Sequence, residues 1–231
     1  MEIIERQAMP QIASEIARAS RAMLERWEAT EEVSADPDHD KRIREIMDGM
    51  TTRAVRTFAA RIISAKSGPP MERKDFAATL SRLAFRFIAL EAYRRRITAI
   101  SETTRESIVA QITRGQAQGL GVAEIARGIA DVLPVRSVAR GALIARTETH
   151  GAANYGADAG ARETGLTLRK QWVAAFDERT RESHAEADGQ TVGMDDQFRV
   201  GGEYLSYPGD VAGGPENTIN CRCAVVHVVV E

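Results

Sequence analysis

The stretch INCRCAVVHVVV, residues 219–230, carries the clearest strand signal in the chain. Its last eight residues are rich in valine, which favours a β-strand because branched side chains pack well on a pleated sheet. A second strand is predicted over residues 170–175, which include Trp172. Helical periodicity dominates the rest of the chain. The sequence therefore predicts an α+β fold, with a mainly helical N-terminal half and a small C-terminal sheet.

The N-terminal half is predicted to consist of amphipathic helices. In the first helix, which should end near residue 29, apolar residues recur at steps of three and four, the spacing of one helical face. These residues are Ile12, Ile16, Ala19, Met23 and Trp27. Further helices are predicted over residues 41–64, 73–97, a short segment capped by Ser101, 122–134 and 138–163. Gly68-Pro69-Pro70 and Pro134 are expected to end helices, and the acidic segment 28–40 to form an exposed connection or a flexible loop.

Glycine usage divides the chain near residue 115. Of eighteen glycines, only Gly49 and Gly68 lie before that point. The predicted organisation is a helical domain over residues 1–114 and a small α/β domain over residues 115–231. The second domain should hold the short sheet and long loops, including one loop over residues 191–220.

Composition narrows the class of protein. Apolar residues make up 43% and charged residues 28% of the chain, and the formal net charge is −2. These values are typical of a globular protein and exclude wholesale disorder or a strongly basic coat for nucleic acid. No apolar run approaches the roughly 18 residues that cross a bilayer, and the start lacks the pattern of a signal peptide, so we expect neither membrane insertion nor export.

Two cysteines and one histidine form a candidate metal site. Cys221 and Cys223 are two residues apart where a loop enters the last strand, so an extended backbone points both thiols the same way. His184 lies on a short helix predicted to follow Asp177. This donor set suits zinc, with Asp188, Asp177 or water as a fourth ligand. Ordinary packing of two cysteines and a hydrogen-bonded histidine is the alternative, because C-x-C lacks the usual zinc spacing.

Glu148 falls on the apolar face of the helix predicted over residues 138–163. Burying an unpaired carboxylate is costly, so an arginine partner such as Arg179 or Arg181 is expected. A salt bridge that locks helix to loop and a binding or catalytic carboxylate are both consistent with this position. The sequence has no phosphate loop and no G-x-S-x-G or H-E-x-x-H motif, so the commoner enzyme classes lack support.

The order of the motifs resembles a known family. I-A-R-T-E at residues 144–148 and Trp172 precede D-E-R-T-R-E-S-H at 177–184, D-G-Q at 188–190 and N-C-R-C at 220–223. Over about residues 105–230 this order resembles the phage Mu F-like minor head proteins, also described as the SPP1 gp7-type head morphogenesis family. The family motif falls on Arg146, Glu148, Asp177, Arg179, Arg181, His184, Asp188, Gly189, Asn220, Cys221, Arg222 and Cys223.

The resemblance implies a minor head protein of a tailed phage or prophage that helps head assembly or DNA delivery and is not an enzyme. Its implied location is the virion, in the capsid interior or at the portal vertex, and the host cytoplasm during assembly. The implied partners are the portal protein, the major capsid or scaffold protein and phage DNA. The alternative is a metal-dependent hydrolase or nucleotide-transfer enzyme that uses the His, Cys and Glu residues. Toxin modules attached to such domains are known, and none is expected in a chain of this length.

Overall fold

The computed structural model describes residues 1–34, 36, 38–66 and 73–230. Its helices are α1 (Glu2–Thr30), α2 (His39–Lys66), α3 (Arg73–Ile88), α4 (Glu91–Ala117), α5 (Val122–Arg162), α6 (Glu182–Glu186) and α7 (Pro215–Thr218). Its strands are β1 (Leu168–Val173), β2 (Thr191–Gly193), β3 (Phe198–Val200), β4 (Glu203–Leu205) and β5 (Ala224–Val229). The predicted α+β class is confirmed. Within the described ranges, no helix combines the length and apolar character that a membrane span requires.

The helix predicted over residues 73–97 is divided in two. α3 ends at Ile88, where the Leu90 N–H bonds the Phe87 carbonyl at 3.0 Å, and α4 begins at Glu91. The turn lets Phe87 pack against Tyr93, with ring centroids 5.3 Å apart. Aromatic packing of this kind outweighs local helix propensity. α4 then continues to Ala117, so the helix start predicted at Ser101 is wrong.

The helix end predicted at Pro134 is also wrong, because α5 is one helix of 41 residues that contains this proline. A proline inside a helix removes one backbone donor and costs about 3 kcal/mol. Leu133 before the proline and Ile144 after it are both buried, so tertiary packing on either side stabilises the helix through Pro134. The other predicted stop, Gly68-Pro69-Pro70, lies outside the described residues.

The chain forms two compact units. Unit 1 comprises Met1–Ile4, Gly49–Tyr93 and Arg146–Glu231, and unit 2 comprises Glu5–Asp48 and Arg94–Ala145. Each unit therefore draws residues from both sides of residue 114. The domain boundary near residue 115 stays a prediction about which parts fold independently.

Unit 1 contains both sheets. β1 is central in an antiparallel three-stranded sheet of order β2-β1-β5, in which Trp172 lies opposite Val225. β3 and β4 form a separate antiparallel pair. The two predicted strands are thus confirmed within two residues, whereas the long loop predicted over residues 191–220 is wrong. It holds three strands of three residues each and α7, elements too short to show a periodic pattern.

Within unit 1, α5 lies directly against the backbone of α2. A Cβ atom added at Gly156 would lie 2.6 Å from the Val55 carbonyl oxygen, and one at Gly160 would lie 2.8 Å from the Ala59 Cα. Only glycine permits such close approach of two helices at these positions. This close contact fixes the C-terminal half of α5. Polar side chains of that half face β5.

Unit 2 contains an apolar core and a cluster of charged residues. The core includes Trp27, Ile112 and Ile129, all buried. The charged residues, named here the ionic cluster, are Glu15, Arg18, Asp36, His39 and Arg42. The exposed connection predicted over residues 28–40 is wrong at Asp36, which is only 9% exposed.

Glu15 is the centre of the ionic cluster. Its carboxylate accepts hydrogen bonds from Arg18 Nη2 at 2.6 Å, His39 Nδ1 at 2.8 Å and Arg42 Nε at 3.2 Å. Arg18 and Arg42 also bond Asp36, and this second carboxylate ties the connection to α1 and α2. Burial alone would raise the pKa of Glu15, but the hydrogen bonds outweigh it and lower the pKa.

Candidate functional site

The motif residues meet in unit 1, between the end of β1, helix α6 and the loop that enters β5. Trp172, fully buried near the end of β1, packs edge-on against the ring of Phe198, with centroids 5.5 Å apart. Its other contact is the ring of His184 on α6, at 5.6 Å and an interplanar angle of 88°. Trp172 therefore sets the plane of the His184 ring.

His184, Cys221 and Cys223 converge beside Trp172. His184 Nδ1 lies 3.7 Å from Cys221 Sγ and 3.4 Å from Cys223 Sγ. All three donor atoms lie within 4.8 Å of one another, and each residue is 2% exposed. The cysteines are free thiols. The structure thus brings together the three residues that the sequence predicts as metal ligands.

The two thiols are not equivalent. The hydrogen bond from Cys221 lowers the pKa of Cys223 to about 4, and bonds from His184 and from the Ala175 backbone act in the same direction against the effect of burial. The bond to Cys223, together with burial, raises the pKa of Cys221. Of the two thiols, Cys223 is therefore the more acidic.

Segment 177–184 binds segment 219–223 through more than the sulfur atoms. Arg222 Nη2 donates to Asp177 Oδ1 at 2.5 Å, and Arg181 Nη2 donates to the Ile219 carbonyl at 2.7 Å. We name these contacts, together with the His184 and cysteine contacts, the clasp. Asn220, in the second of these segments, has a left-handed backbone with a φ of 55°. Its N–H donates to Thr147 Oγ1 of α5 at 3.2 Å, which ties the clasp to the helix.

The D-G-Q motif fixes the neighbouring backbone instead of joining the metal ligands. Asp188 Oδ1 accepts from the Ala174 N–H at 2.8 Å, and Gly189 adopts a φ of 73° that favours glycine. The Gln190 side-chain amide bonds both backbone groups of Arg199, at 2.7 and 3.1 Å. Among the described residues, neither Asp188 nor Asp177 belongs to the group of converging donor atoms.

The remaining motif residues lie around the clasp. Glu148 is buried on α5 at 9% exposure, whereas Arg146 and Arg179 are exposed. The pairing of Glu148 with Arg179 or Arg181 stays a prediction. Arg179, Arg181, Asn220 and Arg222 line a small surface pocket that reaches the three ligand side chains. The pocket has a positive rim and suits water or a small anion.

Sequence reasoning missed Asn154, which connects α5 to β5. Its amide nitrogen donates to the Cys223 carbonyl at 3.3 Å, and its oxygen accepts from the Val225 N–H at 3.0 Å. The same nitrogen lies 3.0 Å from Nε2 of buried His150. A signal was present, since Asn154 is a lone amide within the small-residue run of residues 151–161.

Two known proteins resemble part of the chain. It is 36% identical over 90 residues to the minor head protein GP7 of Bacillus phage SPP1, which is 38% of this chain and 29% of that protein. It is 35% identical over 89 residues to the NAD(+)–arginine ADP-ribosyltransferase EFV of Enterococcus faecalis, which is 37% of this chain and 18% of that protein. The chain thus spans less than a third of either relative. No solved structure matches it significantly.

The profile of a phage protein family covers the clasp. The family described as Phage Mu protein F like protein matches residues 106–226, just over half of the chain. The match includes α6, both motif segments and the first half of β5, and it confirms the resemblance that the motif order indicates. The protein therefore belongs to the Phage Mu protein F like family.

Proposed function

We propose that the protein is a minor head protein of a tailed phage or prophage that associates with the portal and assists head assembly or DNA delivery. The observation that carries this proposal is the family match over residues 106–226, supported by the 36% identity to a protein named as a minor head protein. The chain acts in the host cytoplasm during assembly and then in the virion, inside the capsid or at the portal vertex.

The contacts of the motif residues support a structural role. Asp177, Arg181 and Asp188 each bind another part of unit 1. His184 and the cysteines are buried beneath them. Groups committed to internal contacts in this way hold a fold together. We therefore propose that the clasp stabilises the family domain and takes no part in turnover.

The partner surface we propose is basic. Arg94 and Arg95, adjacent at the start of α4 in unit 2, are exposed. Guanidinium groups bind carboxylates and phosphates through paired hydrogen bonds, which suits an acidic protein surface or DNA. We propose the portal as the principal partner, with the major capsid or scaffold protein and phage DNA as further ones.

Co-purification tests this proposal. The full chain, carrying an affinity tag, is produced together with the portal or the major capsid protein of the same phage genome. We expect the portal protein to be retained at low salt and released as salt rises, because exposed charges are screened. Absence of the portal protein from the eluate at every salt concentration would contradict the proposed partner.

A matched pair of variants identifies the surface. We expect the double variant Arg94→Glu and Arg95→Glu to lose most of the retained portal protein. The double variant Arg169→Glu and Arg199→Glu reverses the same number of charges at exposed arginines of β1 and β3, and it should retain the portal protein at the wild-type level. Equal losses in both variants would show that net charge alone, and not the proposed surface, controls binding.

A further inference from the structure

We propose that unit 1 binds one zinc ion through His184 Nδ1, Cys221 Sγ and Cys223 Sγ. The inference rests on the geometry of these three side chains and does not depend on the proposed function in the phage head. Two thiolates and an imidazole form a soft donor set that selects zinc over magnesium or calcium.

The distances agree with a tetrahedral zinc site. With Zn–S bonds of about 2.3 Å and a Zn–N bond of about 2.05 Å, a tetrahedral angle separates sulfur from nitrogen by about 3.6 Å. The observed separations from His184 Nδ1 are 3.7 Å to Cys221 Sγ and 3.4 Å to Cys223 Sγ. The two sulfur atoms lie within 4.8 Å of each other, so the three donors are already close to the spacing that one zinc ion requires.

The surroundings favour bound thiolates. The Cys223 N–H donates to the Cys221 sulfur, and the Ala175 N–H donates to the Cys223 sulfur. Donors of this kind stabilise negative charge on sulfur and orient it. The second ring nitrogen of His184, Nε2, is buried and forms no hydrogen bond within the described ranges. The edge-on contact with Trp172 holds the ring in place instead.

The fourth position of the tetrahedron remains for solvent. Asp177 bonds Arg222 and Asp188 bonds the Ala174 backbone, so both predicted carboxylate ligands are committed elsewhere. The small pocket beside the cluster gives water access to the three ligands. We assign the fourth ligand to a water molecule.

Metal analysis of the full-length protein tests the assignment. Protein produced with zinc in the medium and purified without chelator should contain about one zinc per chain by plasma mass spectrometry. After chelation under reducing conditions, titration with Co²⁺ should produce a sulfur-to-cobalt charge-transfer band and strong visible bands that saturate at one equivalent. Added Zn²⁺ should abolish these bands.

Single variants identify the ligands. Cys221→Ser and Cys223→Ser should abolish the charge-transfer band at one equivalent, and His184→Ala should weaken binding and alter the visible bands. The control is His227→Gln, which removes another buried histidine of unit 1, one that contacts Asp158, and should retain the wild-type spectrum. If the serine variants do not fold, the cobalt spectrum of the wild-type protein still shows whether sulfur binds the metal.

Two results would overturn the proposal. One is less than a tenth of an equivalent of zinc together with a featureless cobalt spectrum, while thiol titration finds two free cysteines. The other is a disulfide between Cys221 and Cys223 in protein purified without reductant, with no metal uptake after reduction.

Discussion

The ionic cluster of unit 2 and the clasp of unit 1 both hold a loop in place, but they use different chemical groups. Each ties a loop to helices through polar groups that are mostly buried. The ionic cluster uses two carboxylates, two arginines and a histidine around the α1–α2 connection. The clasp uses a histidine, two sulfur atoms and one exposed ion pair around the entry to β5.

The difference lies in how each cluster handles charge. The Glu15 carboxylate is 7% exposed, so it depends on arginines that are themselves 38% and 35% exposed. In the clasp the ion pair is at the surface, and the buried centre consists of an imidazole and two sulfur atoms without a carboxylate. We therefore expect mutation of a carboxylate to have a large effect in unit 2 and a small one in the clasp.

The largest effect is expected from Glu15→Gln. Glutamine keeps one acceptor oxygen but removes the negative charge around which Arg18, His39 and Arg42 gather, and we expect the free energy of unfolding to fall by about 2 to 3 kcal/mol, less than for a fully buried pair because both arginines reach solvent. Urea unfolding measures the change. Glu25→Gln, at an exposed position of α1, is the control and should shift the value by about 0.5 kcal/mol or less. Equal effects of both variants would show that the cluster contributes nothing specific.

A slightly smaller effect is expected from His184→Ala, measured with chelator present so that no metal contributes. The variant removes the ring that packs against Trp172 and should lower stability by about 2 kcal/mol, mainly through the cavity it leaves. Near-ultraviolet circular dichroism should also lose part of its tryptophan signal. Glu186→Ala, at an exposed position of the same helix, controls for changes in α6. An unchanged stability and spectrum in His184→Ala would contradict the packing role of the ring.

Acid should weaken the ionic cluster selectively. Although burial opposes it, bonds from the arginines lower the pKa of Glu15 and of Asp36 below the usual values of 4.5 and 3.8. A lowered pKa in the folded state adds stability above the unfolded pKa, and this stability is lost as pH falls through the folded pKa. The contribution of the ionic cluster to stability should therefore be level above about pH 5 and decline below about pH 4.

The control for the acid experiment is again Glu15→Gln. This variant should show a shallower decline of unfolding free energy between pH 5 and pH 3, whereas Glu25→Gln should follow the wild type. Parallel curves for wild type and Glu15→Gln would contradict the cluster as the origin of acid sensitivity.

The smallest effect is expected from Asp177→Asn. Asp177 and its partner Arg222 are 43% and 30% exposed, and pairs of this kind contribute about 0 to 1 kcal/mol. The asparagine oxygen can still accept the backbone bond from Arg179, so the turn should persist. Urea unfolding at low and high salt should show a difference from wild type that disappears as salt rises. A loss as large as that of Glu15→Gln would overturn the contrast between the two clusters.

The sequence predicts the histidine and the two cysteines of the clasp because these residues belong to rare types. The chain has two cysteines and four histidines, so their position next to motif arginines and a strand is informative. The ionic cluster consists of common charged residues in an acidic, proline-containing segment, which is the usual composition of an exposed loop. Only the packing around Asp36 distinguishes this segment from an exposed loop, and no pattern in the neighbouring sequence indicates that packing.

The same limit explains the errors in the fold. Long periodic helices and the valine-rich strand are visible in the sequence because many residues repeat one signal. The continuation of α5 through Pro134 and the role of Asn154 depend on contacts with distant residues, and the break at Leu90 accompanies the packing of Phe87 on Tyr93 across the turn. Strands of three residues, as in β2 to β4, are too short to show alternation.

Quantitative mass spectrometry of purified DNA-filled heads tests the central claim most directly. Labelled reference peptides from this chain, the portal protein and the major capsid protein give copy numbers per particle. We predict a low but constant number of copies, comparable with the portal and far below the major capsid protein. Complete absence from filled and empty heads, with the protein abundant in the same lysate, would contradict a minor head protein.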